Sequence, residues 1–334
     1  MIEFIFTVDY EIYGNGSGSL EELIFNPSES LINIFSKNEA DLVFFIEVAE
    51  LEMIEATGSD PAIRLIKNQI KQICQNNFEI GLHIHPQWYK ARLKNGQWIL
   101  NYDEYNLCLL SEDRINQLVN RAISYLRYLV EDSSFTPIAY RAGNWLMTPT
   151  EKMGRVLATL GIKIDSSVFK GGYQHSTGLD YRQAPPDLFY WKFSKNVIQP
   201  DPNGVLLEIP IYTKMIPTWK FISRKRIGME KKAVTSNSLK NKMATRIHDF
   251  LRFKVPMKFD FCRLRYDELK SLTDELIKID ALTPAKYKPI VLIGHTKDSP
   301  DYDIITRFLY YLNKKNIRCS SFNVALKELG RRKI

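Results

Sequence analysis

This sequence has no long apolar run, no paired cysteines and no internal repeat. No stretch approaches the roughly 20 consecutive apolar residues that a bilayer-spanning helix requires. The first residues, Met1-Ile2-Glu3-Phe4-Ile5-Phe6-Thr7-Val8-Asp9, carry neither a basic leader nor a small-residue cleavage site. They read as a β-strand that begins at once, and a cytoplasmic location is the expectation. The four cysteines, Cys74, Cys108, Cys262 and Cys319, show no CxxC and no zinc-finger spacing. They are expected to be reduced, with Cys74 and Cys108 filling core space. The glycine-rich stretch 14–19 lacks the Gly-Lys-Ser/Thr ending of a phosphate loop and reads as a mobile rim beside Asp9. Only five histidines are present, so their placement carries information.

What the chain does have is the composition of a globular protein: 334 residues, 45% hydrophobic and 25% charged, enough for a sizeable core. That length admits one large α/β barrel or two smaller domains. Short apolar runs at 2–8, 41–48, 79–84, 137–140, 162–166, 205–210 and 290–294 read as buried strands. Helical patterns lie between many of them. In 61–75, Ile63, Ile66, Ile70 and Ile73 recur at helical spacing; in 111–130, Ser111 is a candidate N-cap before a stripe of Ile115, Leu118, Ala122, Leu126 and Leu129. Stretches 148–160, 266–279 and 303–314 complete the set. Alternation of strand and helix implies a parallel sheet flanked by helices. The stretch 171–205, with Pro185-Pro186, lacks periodicity and reads as a long loop or hairpin excursion.

The chemically useful residues fall at C-terminal ends of these strands: Asp9 and Glu11, His83 and His85, Arg141, Asp165, and His295. A parallel barrel would gather them at one mouth, where barrel enzymes keep their chemistry. Asp9 and Glu11, two apart, can divide the tasks of base and metal ligand. Removing a strand-end carboxylate such as Asp9 is expected to cost little stability. His83 and His85 share a face of an extended strand and present two imidazoles, which suit Zn²⁺, Fe²⁺, Co²⁺ or Ni²⁺. Arg141 can hold a carboxylate or a substrate oxygen, Gly143 permits close backbone approach, and Trp145 can stack on a sugar ring. His295 can protonate a leaving amine, with Asp165 or Asp298 as its partner. His175 and His248 read as surface residues.

Taken in order, TVDYE at 7–11, EIGLHIHP at 79–86, YRAGNW at 140–145, IDSSV at 164–168 and LIGH at 292–295 resemble the five motifs of the polysaccharide deacetylase family. The resemblance implies a distorted (β/α)7 TIM-like barrel, with residues 1–334 as a single catalytic domain and an irregular, basic excursion at about 171–258. It also implies hydrolysis of an N-acetyl or O-acetyl group of a sugar with Zn²⁺ or a similar divalent ion. Two departures mark a divergent branch. Tyr10 stands where the common motif has its second carboxylate, as in relatives with TxDxD or TxDxE, and Gln87 stands where HxxxH has its second histidine. On this mapping Glu11, His83 and His85 hold the metal, Asp9 is the base, Arg141 positions it and His295 is the acid; the exchange of roles between Asp9 and Glu11 stays open. Asp165 joins the catalytic set, and Trp88, Asn144 and Trp145 are the expected substrate contacts.

Charge is unevenly spread. Residues 214–258 hold thirteen Lys and Arg against Glu230 and Asp249, which is +11 of the net +8 and leaves −3 for the remainder. With Trp219, Phe221, Phe250 and Phe253 interleaved, this stretch is either a solvated excursion or a surface for an anion: a membrane headgroup, a lipid diphosphate or a nucleotide sugar. No nucleic-acid motif accompanies it. A cytoplasmic precursor of a surface polysaccharide is the expected substrate. The alternatives are another metal-dependent amide hydrolase and a catalytically silent sugar-binding protein.

Overall fold

Each of the apolar runs becomes a strand of one sheet in the computed structural model, which describes residues 1–218 and 254–331. The strands are β1 (Ile2–Tyr10), β2 (Val43–Glu47), β3 (Glu79–Ile84), β4 (Ala139–Ala142), β5 (Ile164–Asp165), β6 (Trp191–Phe193), β7 (Leu206–Glu208), β8 (Lys288–His295) and β9 (Arg318–Ser320). In space they run β6-β7-β5-β4-β3-β2-β1-β8, with β9 beside the N-terminal half of β1. Every pairing is parallel except that of β6 with β7. A parallel sheet covered on both faces needs strands that are apolar throughout, which is why β1 and β8 read as unbroken hydrophobic runs.

The helices α1 (Asn26–Lys37), α2 (Val48–Thr57), α3 (Ile63–Gln75), α4 (Glu112–Val130), α5 (Glu151–Thr159), α6 (Tyr266–Leu282), α7 (Tyr302–Lys314) and α8 (Phe322–Arg331) accompany the sheet. Ser111 caps α4 as expected, its Oγ accepting from the Arg114 N–H at 3.3 Å. Ile63, Ile66, Ile70 and Ile73 bury one face of α3. Outside β1 and β8, Phe4, Phe6, Phe35, Phe259, Phe261 and Phe308 pack edge to face or tilted, with centroids 5.1–6.5 Å apart. Each such ring contributes about 1.5–3 kcal/mol by leaving water.

The sheet curls, but its seam is not a full ladder. Among the described residues the gap between β7 and β8 is crossed by isolated bridges to β8, Ile211 with Val291 and Asp260 with Ile293. Tyr212 N–H donates to Val291 O at 2.9 Å and Phe261 N–H to Ile293 O at 3.0 Å. The architecture is therefore a curled parallel half-barrel whose edges are stitched rather than zipped. Within 171–205 lies a hairpin of Tyr173–Gln174 with Leu179–Asp180, followed by β6. The basic stretch leaves the body through an antiparallel ribbon of Thr213–Pro217 with Lys254–Lys258. Trp219, Phe221, His248, Phe250 and Phe253 lie outside the described residues. Among the described residues no helix is long and apolar enough to cross a membrane.

Candidate active site

Parallel register gathers the polar residues. His83 pairs with Glu47 on one side and Arg141 on the other, and Asp9 pairs with His295. Because residues two apart share a face, Thr7, Asp9, Glu47, His83, Arg141 and His295 project to the concave side, and Glu11 and His85 continue that alternation just past the strand ends. All are buried, with 0–6% of their surface exposed.

Two carboxylates organise the centre. Arg141 Nη1 donates to Asp9 Oδ1 at 2.6 Å, while its other nitrogens donate to Thr7 Oγ1 (2.9 Å) and Ser166 O (3.0 Å). The guanidinium also lies 4.1 Å over the Phe45 ring. Burial alone would raise the Asp9 carboxyl, but Arg141, His295 and His83 outweigh it and hold it below its ordinary value. Asp9 Oδ2 faces His295 Nε2 at 3.4 Å. Glu11 is placed differently: Oε1 accepts from Lys297 Nζ at 2.7 Å, and Oε2 lies 3.0 Å from His85 Nε2 and 3.7 Å from His83 Nε2. Burial again acts upward, and Lys297 with the two imidazoles holds Glu11 well below the usual carboxylate range.

Both imidazoles turn Nε2 toward Glu11. His83 Nδ1 lies 2.8 Å from the Arg141 carbonyl, which can only accept, so Nδ1 carries a proton and Nε2 is the atom that faces Glu11. Beside His85 Nδ1 lie the Gln87 amide nitrogen at 3.2 Å and the Asn144 amide nitrogen at 3.3 Å. Gln87 Oε1 is buried without a partner. Gln87, which stands where the common motif has its second histidine, lies against the His85 ring. Tetrahedral sites with bonds of about 2.0–2.1 Å have ligand atoms roughly 3.3 Å apart. The separations from Glu11 Oε2 bracket that value, so Glu11, His83 and His85 fit a divalent ion. Two other clusters, Asp9–Glu11–His295 and Asp260–His295–Asp298, are as compact. In the first Asp9 is already bound to Arg141, and in the second Asp298 accepts two bonds of 2.8 Å from Arg263, so an ion there would face a guanidinium.

The structure corrects two expected contacts. Asp165 pairs in register with Tyr140 and Glu208, one residue out of phase with Arg141, and so points to the opposite face of the sheet. It accepts from Ser167 Oγ at 2.6 Å; the carboxylate beside His295 is Asp298, 3.3 Å from Nδ1. Trp88 is 1% exposed and packs edge-on against Trp98 with centroids 5.0 Å apart, so it has no face for a sugar. Gly16 of the glycine-rich loop fits tightly against that pair, where an added Cβ would come within 2.7 Å of Trp98. Asn144 Nδ2 lies 3.3 Å from His85 Nδ1, and the Trp145 ring is 6.2 Å from that of His295. Asn144 and Trp145 are half-buried and both adopt positive φ, +56° and +59°, a strained backbone typical of functional turns. Gly143 before them is required by packing, since a Cβ there would lie 2.5 Å from Ile84 O. His175 is exposed, as expected, and all four cysteines are free.

Sequence reasoning missed Glu47, Lys258 and Lys297. Glu47 ends β2 as His83 ends β3, and the same strand-end rule would have found it. Its Oε1 accepts from the His85 N–H at 2.6 Å and its other oxygen from Glu50 N–H, which ties the start of α2 to the histidine turn.

The displaced Asp165 makes a prediction of its own. Its Oδ2 and Glu208 Oε2 are both buried without another partner, and each carboxyl perturbs the other. Burial, then the Asp165 charge, pushes Glu208 well above the carboxyl range, and burial raises Asp165 as well. A raised folded pKa gives stability that is fully present below the unfolded pKa of about 4.3 and is lost as pH climbs toward the folded value, at about 1.4 kcal/mol per pH unit. Gln mimics the protonated acid: its NH₂ can donate to Asp165 while its oxygen keeps the Val168 N–H. Glu208→Gln is expected to raise stability at pH 7 and flatten its decline between pH 5 and 7, as measured by urea unfolding. A variant with the wild-type slope would show that Glu208 ionises in the folded protein.

No family model matches the sequence, and no curated protein does. Solved structures do. A Mycobacterium smegmatis protein assigned as a polysaccharide deacetylase aligns with a TM-score of 0.54 at 14% identity, over 100% of this chain and 91% of the other. The fold is that of the polysaccharide deacetylases. PuuE allantoinase shares it, with a TM-score of 0.52 at 14% identity over 99% of this chain and 91% of its own. So does a GH57 branching enzyme from Thermococcus kodakaraensis, with a TM-score of 0.56 at 10% identity over 98% of this chain and 71% of its own. One scaffold thus carries several chemistries, and the choice among them rests on the side chains at the mouth.

Proposed function

We propose that this protein is a metal-dependent deacetylase acting on an N-acetyl or O-acetyl group of a sugar. The observation that carries this reading is the convergence of Glu11, His83 and His85 beside the Asp9–Arg141 pair, with His295 on the other side of Asp9. When bound, a divalent ion, with zinc favoured by two imidazoles and a carboxylate, supplies Lewis acidity toward water and the acyl oxygen. The remaining work falls to the chain. Arg141 fixes Asp9 through Oδ1 and keeps it ionised, leaving Oδ2 free to accept a proton from the attacking water. His295 Nε2, 3.4 Å away, can receive that proton and deliver it to the departing sugar nitrogen or oxygen. Asp298 Oδ2 lies 3.3 Å from the Nδ1 of the same ring. Trp145, whose ring is 6.2 Å from that of His295, forms the wall along which the sugar lies.

The substrate we favour is a precursor linked through phosphate or diphosphate, because +11 of charge is concentrated in residues 214–258, whose flanking ribbon adjoins the seam. The shared fold of PuuE allantoinase supports a second reading, an amide hydrolase for a small non-sugar substrate. The test is acetate release from N-acetylated free, nucleotide-linked and lipid-linked sugars, with and without chelator. Chelator-sensitive release from at least one is expected. Metal-loaded protein that releases no acetate from any of them sinks the deacetylase reading.

A further inference from the structure

Most cations of the mouth have a carboxylate. Arg141 holds Asp9, Lys297 holds Glu11, and Arg263 holds Asp298. Lys258 is the exception. It ends the ribbon where the chain joins the seam, and the alternation there is clear. Phe259 and Phe261 pack outward on Phe4 and Phe6, so Lys258 and Asp260 face the concave side. Its ammonium lies 3.0 Å from the centroid of the Trp145 ring and 4.1 Å from that of Phe169. Among the described residues no oxygen accepts a hydrogen bond from it. The carboxylates near it are committed: Asp260 accepts from the Cys262 and Arg263 N–H groups at 3.1 Å, and Asp9 is bound to Arg141.

An ammonium has three donors, and aromatic faces satisfy none of them by hydrogen bonding. Burial, then the nearby Arg263, already pushes the Lys258 amine well below the ordinary lysine range, with Asp260 and Asp9 opposing. A ligand anion would relieve both deficits. The location says where that anion belongs, because Trp145 touches Lys258 on one side and His295 on the other. Lys258 and Trp145 are half-buried, so a ligand in the mouth can reach them.

We propose that Lys258 is the receptor for an anionic oxygen, phosphate or carboxylate, carried on the reacting sugar and seated against Trp145 and Phe169. The assignment of the sugar rests on the deacetylase reading; the anion contact rests on Lys258 itself. It is distinct from long-range attraction by the other cations of 214–258, because it acts at contact distance and is insensitive to moderate salt.

The test compares binding of N-acetylglucosamine 1-phosphate, N-acetylglucosaminuronate and neutral N-acetylglucosamine by calorimetry at 0.15 M and 0.5 M salt. Wild type is expected to favour at least one charged sugar about tenfold or more at both salt concentrations, and the preferred one identifies phosphate or carboxylate as the group. Lys258→Met, which keeps an unbranched stem on Trp145, is expected to lose that preference while binding the neutral sugar as before. A second readout does not depend on the variant folding: the preferred charged sugar should protect Lys258 of the wild type from reductive methylation, and the neutral sugar should not. Equal binding of all three sugars by wild type, an unchanged preference in a folded Lys258→Met, or absence of protection overturns the proposal. Charged-sugar binding that depends on Lys258 without acetate release would instead retain it and sink the deacetylase reading.

Discussion

Protein purified without chelator is expected to hold one divalent ion per chain, and His83→Ala or His85→Ala to lose it. The expectation follows from how the donors are held. His83 Nδ1 is held by the Arg141 carbonyl, so Nε2 is the atom that faces Glu11, and Glu11 is kept ionised by Lys297 and the imidazoles. A site whose ligands are oriented before the ion arrives loses little order on binding. Removing one of three protein ligands should cost more than the roughly 10–100-fold in affinity typical of outer-shell partners, whereas Gln87→Leu should fall within that range, because it only frees the His85 ring. Elemental analysis gives the stoichiometry, and competition with a chromogenic zinc chelator gives the affinities. Protein that carries no ion and binds none on titration, or histidine variants that bind as wild type, would remove the metal from the mechanism. A Gln87→Leu variant with unchanged affinity would leave the metal in place and remove Gln87 from its support.

Much of this arrangement was legible in the sequence because parallel sheets expose their grammar. Fully buried strands must be apolar throughout, so 79–84 could be bounded to the residue, and strand ends could be inspected for polar groups. Where the reading failed, the cause was phase. Asp165 ends a strand as Arg141 nearly does, but β5 is only two residues long, and a sequence does not say which of two alternating faces such a strand presents. Helix α2 was not anticipated, because it starts at Val48, the last residue of the run 41–48, with no turn after β2; Glu47 is at once strand end and helix cap, and only the fold separates those roles. Trp88 lay beside the histidines in sequence, but the short helix at Pro86–Trp88 carries it into the core. Lys258 was hidden for another reason. Its significance lies in the lack of an acceptor, which depends on partners from β1, the segment after β4 and the seam.

Asp9→Asn is expected to abolish turnover and also to destabilise the protein, contrary to what a strand-end position alone implies. Asp9 and Arg141 are a buried pair, 2% and 0% exposed, and taking the charge from one leaves the other without its counter-ion. Breaking such a pair costs about 3–5 kcal/mol. The lower end is expected here, because Asn retains an oxygen for Nη1 and Arg141 keeps Thr7 Oγ1, Ser166 O and the Phe45 face. Loss of the base should lower kcat/KM by roughly 10²–10⁴. Low activity in the single variant could then reflect either lost chemistry or a loosened fold, and the double variant separates them. Replacing both partners, Asp9→Asn with Arg141→Met, removes the unpaired charge, and apolar replacement of a buried pair is often close to neutral. Urea unfolding should therefore show the double variant regaining most of the stability that Asp9→Asn loses, a coupling readable from the double-mutant cycle. Its activity should stay at the level of the single variant, since the proton acceptor is still missing. Activity that returns with stability would show that Asp9 serves the fold and that another group takes the proton. A single variant as stable as wild type would show that Arg141 does not depend on its charge.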